Sequence, residues 1–146
     1  MSEKILSKVK PGVVYGKDLQ EIFRIAKENK FALPAVNVVG TDSINAVMEA
    51  AKAVNSPVNS PVMIQFSNGG GVFCAGKSLS NDNQQAAIQG CISGALHIHR
   101  MAEMYGIPVV VHTDHVDSRK RELVLFSNAE DFLQIFTINH TGFHFR

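Results

Sequence analysis

Apolar residues at Leu19, Ile22, Phe23 and Ala26 follow the i, i+3, i+4, i+7 spacing of one helix face. They predict an amphipathic helix over Lys17–Asn29, and Asp18 suits the positive end of its dipole. Phe31–Val39 is a short apolar strand pattern in which Pro34 belongs at the start, because proline cannot donate to a ladder. Thr41, Asp42 and Ser43 offer N-cap side chains for a helix with Ile44, Val47, Met48, Ala51 and Val54 on one face. Pro61–Phe66 reads as a second buried strand. Ile88, Ile92, Ala95, Leu96 and His99 mark a helix from about Asn83 to Met104, with Asp82 a possible cap. Gly106 ends that helix, and the β-branched run Val109–Val111 fits a strand covered on both faces.

The order is a helix, then strand and helix three times over, with the last helix least defined. Strands alternating with helices of this length mean βα units in a parallel sheet, joined by right-handed crossovers. Two stretches fall outside this scheme. Asn55-Ser56-Pro57-Val58 is repeated at once as Asn59-Ser60-Pro61-Val62. A four-residue tandem repeat between a helix and the next strand lengthens a loop at modest entropic cost and needs no function. From Asp117 onward the pattern changes: residues 117–146 hold one Gly, no Pro and five of the nine Phe, with no clean helical or strand period. The expected division is a parallel α/β portion over 1–116 and a divergent tail over 117–146.

Composition narrows the class without choosing a function. The 146 residues are 45% hydrophobic and 18% charged, with a net charge of +1. Such a balance suits a globular chain and gives no reason to expect nucleic acid or an anionic membrane as partner. Cys74 and Cys91 are too few for a disulfide scaffold and read as reduced thiols. The opening residues lack a signal-peptide core, and no apolar run approaches the roughly 20 residues of a membrane helix. The expectation is a soluble cytoplasmic protein.

The candidate chemistry sits at strand ends. His112-Thr113-Asp114-His115 places two imidazoles around a carboxylate just past the Val109–Val111 run. In parallel α/β folds chemistry gathers beyond the carboxyl ends of strands. Neutral histidine can ligate a metal and an adjacent aspartate can move a proton; the same residues could equally be a polar strand end that caps the next loop. Asn37 is either a ligand contact or a structural amide. Ser67-Asn68-Gly69-Gly70-Gly71 could present amides to an anion, or could be a plain flexible loop. His97 and His99 stand two apart and share no helical face, so they are a poor metal pair. His140 and His144 have i, i+4 spacing, but Gly142 and the surrounding aromatics argue for incidental histidines.

Taken together, Phe31–Asn37, Gly40–Ala46, Gln65–Gly70 and His112–His115 resemble class II, metal-dependent fructose-bisphosphate aldolase, over about residues 4–115. The resemblance implies a lyase of glycolysis and gluconeogenesis built on a (β/α)8 TIM barrel. The chain would hold a leading helix and about three βα units of an incomplete barrel. The implied reaction is reversible cleavage of fructose 1,6-bisphosphate to dihydroxyacetone phosphate and glyceraldehyde 3-phosphate, with Zn2+ polarising the ketone carbonyl. By the same resemblance His115 is a zinc ligand and Asp114 the catalytic acid/base. Ser67 contacts the glyceraldehyde 3-phosphate portion, and Asn37 is an active-site contact. The HTDH form is more similar to the fructose-bisphosphate than to the tagatose-bisphosphate branch.

After His115 the family pattern continues with a small residue or cysteine and a further helix, whereas here Val116-Asp117 opens the divergent tail. The family's remaining zinc histidines and phosphate loops are not recognisable in that tail. Catalytic zinc ordinarily takes three protein ligands. The chain is therefore expected to be inactive alone, unable to form the family's homodimer normally, and open to a non-catalytic reading. That reading is a product of a frameshift, retained intron or pseudogene, or else a fragment that binds an intact subunit.

Overall fold

The computed structural model describes residues 5–54 and 61–114. Four parallel strands form one sheet: β1 (Gly12–Val13), β2 (Ala35–Asn37), β3 (Val62–Ser67) and β4 (Pro108–Asp114), in the order β1-β4-β3-β2. Three match the expected strands, and β2 is shorter than its apolar pattern. Pro34 sits just ahead of β2, where its carbonyl accepts from the Met63 amide at 2.9 Å. The two-residue β1 has no detectable period in the sequence. It is defined only by pairing with the start of β4, where the Gly12 amide donates to Ile107 O and the Val14 amide to Val109 O.

The helices are α1 (Gly16–Glu28), α2 (Thr41–Val54), α3 (Asn68–Ala75) and α4 (Gln85–Tyr105). Helix α1 buries Leu19, Ile22, Ile25 and Ala26, and Phe23, expected on the buried face, is 38% exposed. Ser43 supplies the N-terminal hydrogen bonds of α2: its Oγ accepts from the Val39 and Gly40 amides and donates to Gly40 O. Asp82 does not cap α4. Its carboxylate accepts from Ser80 Oγ, and Asn81 Oδ1 accepts from the Ala87 amide instead. At the other end Gly106 adopts a left-handed φ of 73° and its amide donates to Ala102 O and Glu103 O. That is the backbone conformation glycine reaches without a Cβ penalty at a helix end.

The Gly69-Gly70-Gly71 run, one reading of which was a flexible loop, lies in the first turn of α3. Ser67 caps that turn, accepting from the Gly70 amide at 3.0 Å. Gly71, and Gly90 of the facing helix, are needed for approach. A Cβ on Gly71 would lie 2.5 Å from Ala87 O and 2.8 Å from Cys91 Sγ, and one on Gly90 would strike the Gly71 carbonyl. Helices α3 and α4 therefore touch backbone to backbone.

Alternation along the strands divides the apolar residues between two sheet faces. On one face Val62, Ile64, Phe66, Val109 and Val111 pack with Ile44 and Met48 of α2 and Cys91, Ala95, Ile98 and Ala102 of α4. On the other, Val110 and Met63 pack beneath Ile22 and Ile25 of α1 together with Ile5, Val9 and Val14. Helix α1 covers only the first half of this second face. The residues beyond it, toward the carboxyl ends of the strands, are polar.

Candidate active site

The polar half of the second face is built by strand register. Asn37 pairs with Gln65 and Gln65 with His112, which forms one row across β2, β3 and β4; Ser67 pairs with Asp114 in the row beyond. Each strand delivers its side chains at two-residue spacing: Met63, Gln65 and Ser67 from β3, and Val110, His112 and Asp114 from β4. The change from Met63 and Val110 to glutamine, histidine, serine and aspartate marks where α1 stops covering the sheet.

Asn37 Nδ2 donates to Asp114 Oδ2 at 3.0 Å. These residues sit on strands two apart, a separation of about 10 Å between strand axes, so both side chains lean across β3 to meet. Three of the four site residues expected from the sequence, Asn37, Ser67 and Asp114, thus come together at one sheet end. The fourth, His115, lies outside the described residues. Ser67 has a structural duty as the cap of α3, which uses an oxygen lone pair and leaves its hydroxyl hydrogen free to donate.

Gln65 had no role assigned from the sequence, and His112 entered only as one of the two imidazoles of the candidate cluster; together they fill the row beneath Asp114. His112 Nδ1 lies 3.2 Å from Gln65 Oε1. An amide oxygen only accepts, so Nδ1 carries the hydrogen of a neutral ring and Nε2 keeps its lone pair. Burial holds the imidazole below its usual pKa, and the Asp114 carboxylate opposes that shift without cancelling it. The period-two spacing of Gln65 with Ser67 was the signal in the sequence that would have found Gln65. His97 lies elsewhere, with Nε2 2.8 Å from Asn45 Oδ1 between α4 and α2, and is not part of this cluster.

A model of class II fructose-bisphosphate aldolases matches residues 17–143. The chain belongs to that family. Fructose-bisphosphate aldolase class 2 of Escherichia coli K12 is 61% identical over 113 residues, which is 77% of this chain and 30% of that protein. The fructose-bisphosphate aldolase of Edwardsiella ictaluri is 62% identical over 112 residues, again 77% and 30%. The crystal structure of fructose-bisphosphate aldolase from Campylobacter jejuni superposes with a TM-score of 0.78 at 48% identity, covering 90% of this chain and 37% of that one. The chain thus spans about 30% of the length of the curated relatives it matches. Its parallel sheet is the N-terminal portion of the family's barrel.

Family membership raises the question of the metal. Among the described residues no three His, Cys, Asp or Glu side chains converge as a cation site. His112 and Asp114 are the donors at the sheet end, and one ring nitrogen of His112 is already turned to Gln65. A catalytic zinc takes three protein ligands plus an open position, so the described residues do not by themselves fit one. No helix among them is long and apolar enough to cross a membrane.

Proposed function

We propose that this sheet end is the first-strand side of a class II aldolase site, acting in reversible cleavage of fructose 1,6-bisphosphate in glycolysis and gluconeogenesis. The observation that supports it is the convergence of Asn37, Ser67 and Asp114, sealed by the Asn37–Asp114 hydrogen bond, in a chain of this family. Asp114 is the acid/base at the aldol hydroxyl: a carboxylate in hydrogen-bond reach accepts that proton as the carbon–carbon bond breaks and returns it in the reverse direction. Asn37 Nδ2 donates to one oxygen of the carboxylate and orients it at the sheet end. Ser67 donates its remaining hydroxyl hydrogen to the glyceraldehyde 3-phosphate portion. His115 is a ligand for Zn2+, the family's metal, and its partners are not among the described residues.

These roles are tested in a relative with the full barrel and the same motifs. The Asp→Asn change at the position matching Asp114 should abolish most turnover with zinc content unchanged, since an amide cannot shuttle the proton. The His→Ala change at the position matching His115 should lower zinc content together with activity. Equal zinc in both variants would reverse the assignment. The 146-residue polypeptide, supplied with zinc and assayed as it stands, should show no cleavage above its own Asp114→Asn control.

A further inference from the structure

We infer that Cys74 and Cys91 form a redox-modification site, closing an intramolecular disulfide between α3 and α4 when the chain meets a hydroperoxide. The geometry begins with the glycine contact between these helices. Gly71 and Ala75 of α3 meet Gly90 of α4 through backbone: a Cβ on Gly90 would strike the Gly71 carbonyl and lie 2.9 Å from the Ala75 amide nitrogen. Cys74 adjoins Ala75 and stands one turn from Gly71, on the same side of α3. Cys91 adjoins Gly90, and its Sγ would be 2.8 Å from a Cβ on Gly71. Disulfides need Cα atoms within about 7 Å. The backbone contact at Gly71 and Gly90 draws together the turns of α3 and α4 that carry the two cysteines. The thiols also sense each other electrostatically, since Cys74 contributes to the rise of the Cys91 pKa, whose larger cause is burial.

Exposure separates the two roles. Both cysteines are free thiols; Cys91 is buried and Cys74 half-buried. The oxidant reaches Cys74 first: its sulfur attacks the hydroperoxide, the O–O bond breaks, and Cys74 becomes a sulfenic acid as water or an alcohol leaves. The Cys91 sulfur then displaces the sulfenic oxygen as water, losing its own proton and forming the S–S bond. Two thiols lose two protons and two electrons, which the peroxide takes up as it becomes water and an alcohol, or two waters. Burial raises both thiols above their usual pKa, so the reaction is slow at neutral pH and accelerates as pH rises. The bond would pin α3, whose cap is Ser67, to the most deeply buried helix of the fold.

The experiment treats the purified chain with equimolar hydrogen peroxide, blocks remaining thiols with N-ethylmaleimide, and reads intact mass and tryptic peptides. Expected are a loss of two hydrogens with no maleimide added, and a linked pair of peptides spanning 53–77 and 78–100 that dithiothreitol separates. Cys91→Ser should instead leave a sulfenic acid on Cys74 that dimedone traps, and Cys74→Ser should leave Cys91 as an unmodified thiol. Native proximity predicts several-fold more linked product in buffer than in concentrated urea. Sulfinic acid on Cys74 beside a free Cys91, linkage between molecules, or equal yield in urea would each overturn the site.

Discussion

At the residue scale the site depends on two hydrogen bonds that hold polar side chains over the sheet. Asn37 to Asp114 fixes a carboxylate, and Gln65 to His112 fixes a neutral ring. The second has a pH signature. The folded state lowers the His112 pKa, so the unfolded chain binds the proton more readily. Its contribution is fully present above the unfolded value of about 6.5 and is lost as pH falls through the folded one. Denaturant midpoints should therefore drop between pH 7.5 and pH 5, and His112→Gln should flatten that drop; an unchanged slope in the variant would remove His112 as its source. Asn37→Ala should act differently. Asn37 is exposed, so stability should move by less than about 1 kcal/mol, as at other surface positions. In a full-barrel relative the same change should lower kcat more than it raises KM, because it removes one hydrogen bond that orients the acid/base rather than a substrate anchor.

At the element scale the α3–α4 contact decides the local fold. Gly94 admits the Phe66 ring, whose carbons would lie 2.5 Å from an added Cβ, whereas Gly90 admits backbone of α3. Alanine gains roughly 1 kcal/mol of helix propensity over glycine, yet overpacking a filled core costs about 1–3 kcal/mol. Gly94→Ala should be modestly destabilising, because a ring can tilt. Gly90→Ala should cost clearly more, because backbone cannot move aside without displacing the helix. Thermal midpoints of the two variants measure the order, and the reverse order would show that Phe66 is held more rigidly than the helix. Ser67→Ala removes the α3 cap at about 1 kcal/mol; Ser67→Thr, which keeps the oxygen, should restore most of it.

Glycine-rich Ser67–Gly71 shows how an element can be misread. Three successive glycines in isolation disfavour a helix, and a loop is the natural expectation. What outweighs propensity is a neighbour: α4 presents small residues at Ala87, Gly90 and Cys91, so only a glycine-bearing helix fits against it. Of the apolar stripe expected on α4, Ile88 and Ala95 are buried and Ile92 packs against the core, and Leu96 alone of its apolar members is exposed. Leu96 is 45% exposed while Gly90 and Gly94 are buried.

At the scale of the whole molecule the described sheet has two edges that differ. One edge of β4 is paired only at Pro108 and Val109, by β1. Beyond β2 lies an apolar recess of about 340 Å3 between that strand and α2, lined among others by Phe31, Leu33, Val36, Val47, Val54 and Pro61. Val54 is 65% exposed at its rim. Such a surface should bind a hydrophobic dye such as anilinonaphthalene sulfonate, and Val54→Glu should reduce the fluorescence gain without lowering the thermal midpoint. Equal dye binding in the variant would place the exposed apolar surface elsewhere.

The order of the three longer strands and of α1, α2 and α4, the parallel α/β class and the strand-end position of Asn37, Ser67 and Asp114 follow from the sequence alone. They rest on local physics: hydrophobic period, proline and glycine punctuation, and polar residues that end apolar runs. Motifs in order were also enough to point to the family. Register was not local. That Asn37 reaches over β3 to Asp114, and that Gln65 and His112 complete the row, depends on how three strands separated by whole helices align. Strand β1 and the helix made from a glycine run exist only because β4 and α4 are there to receive them. A backbone edge or a groove of small residues is created by the fold itself, and no window of sequence contains it.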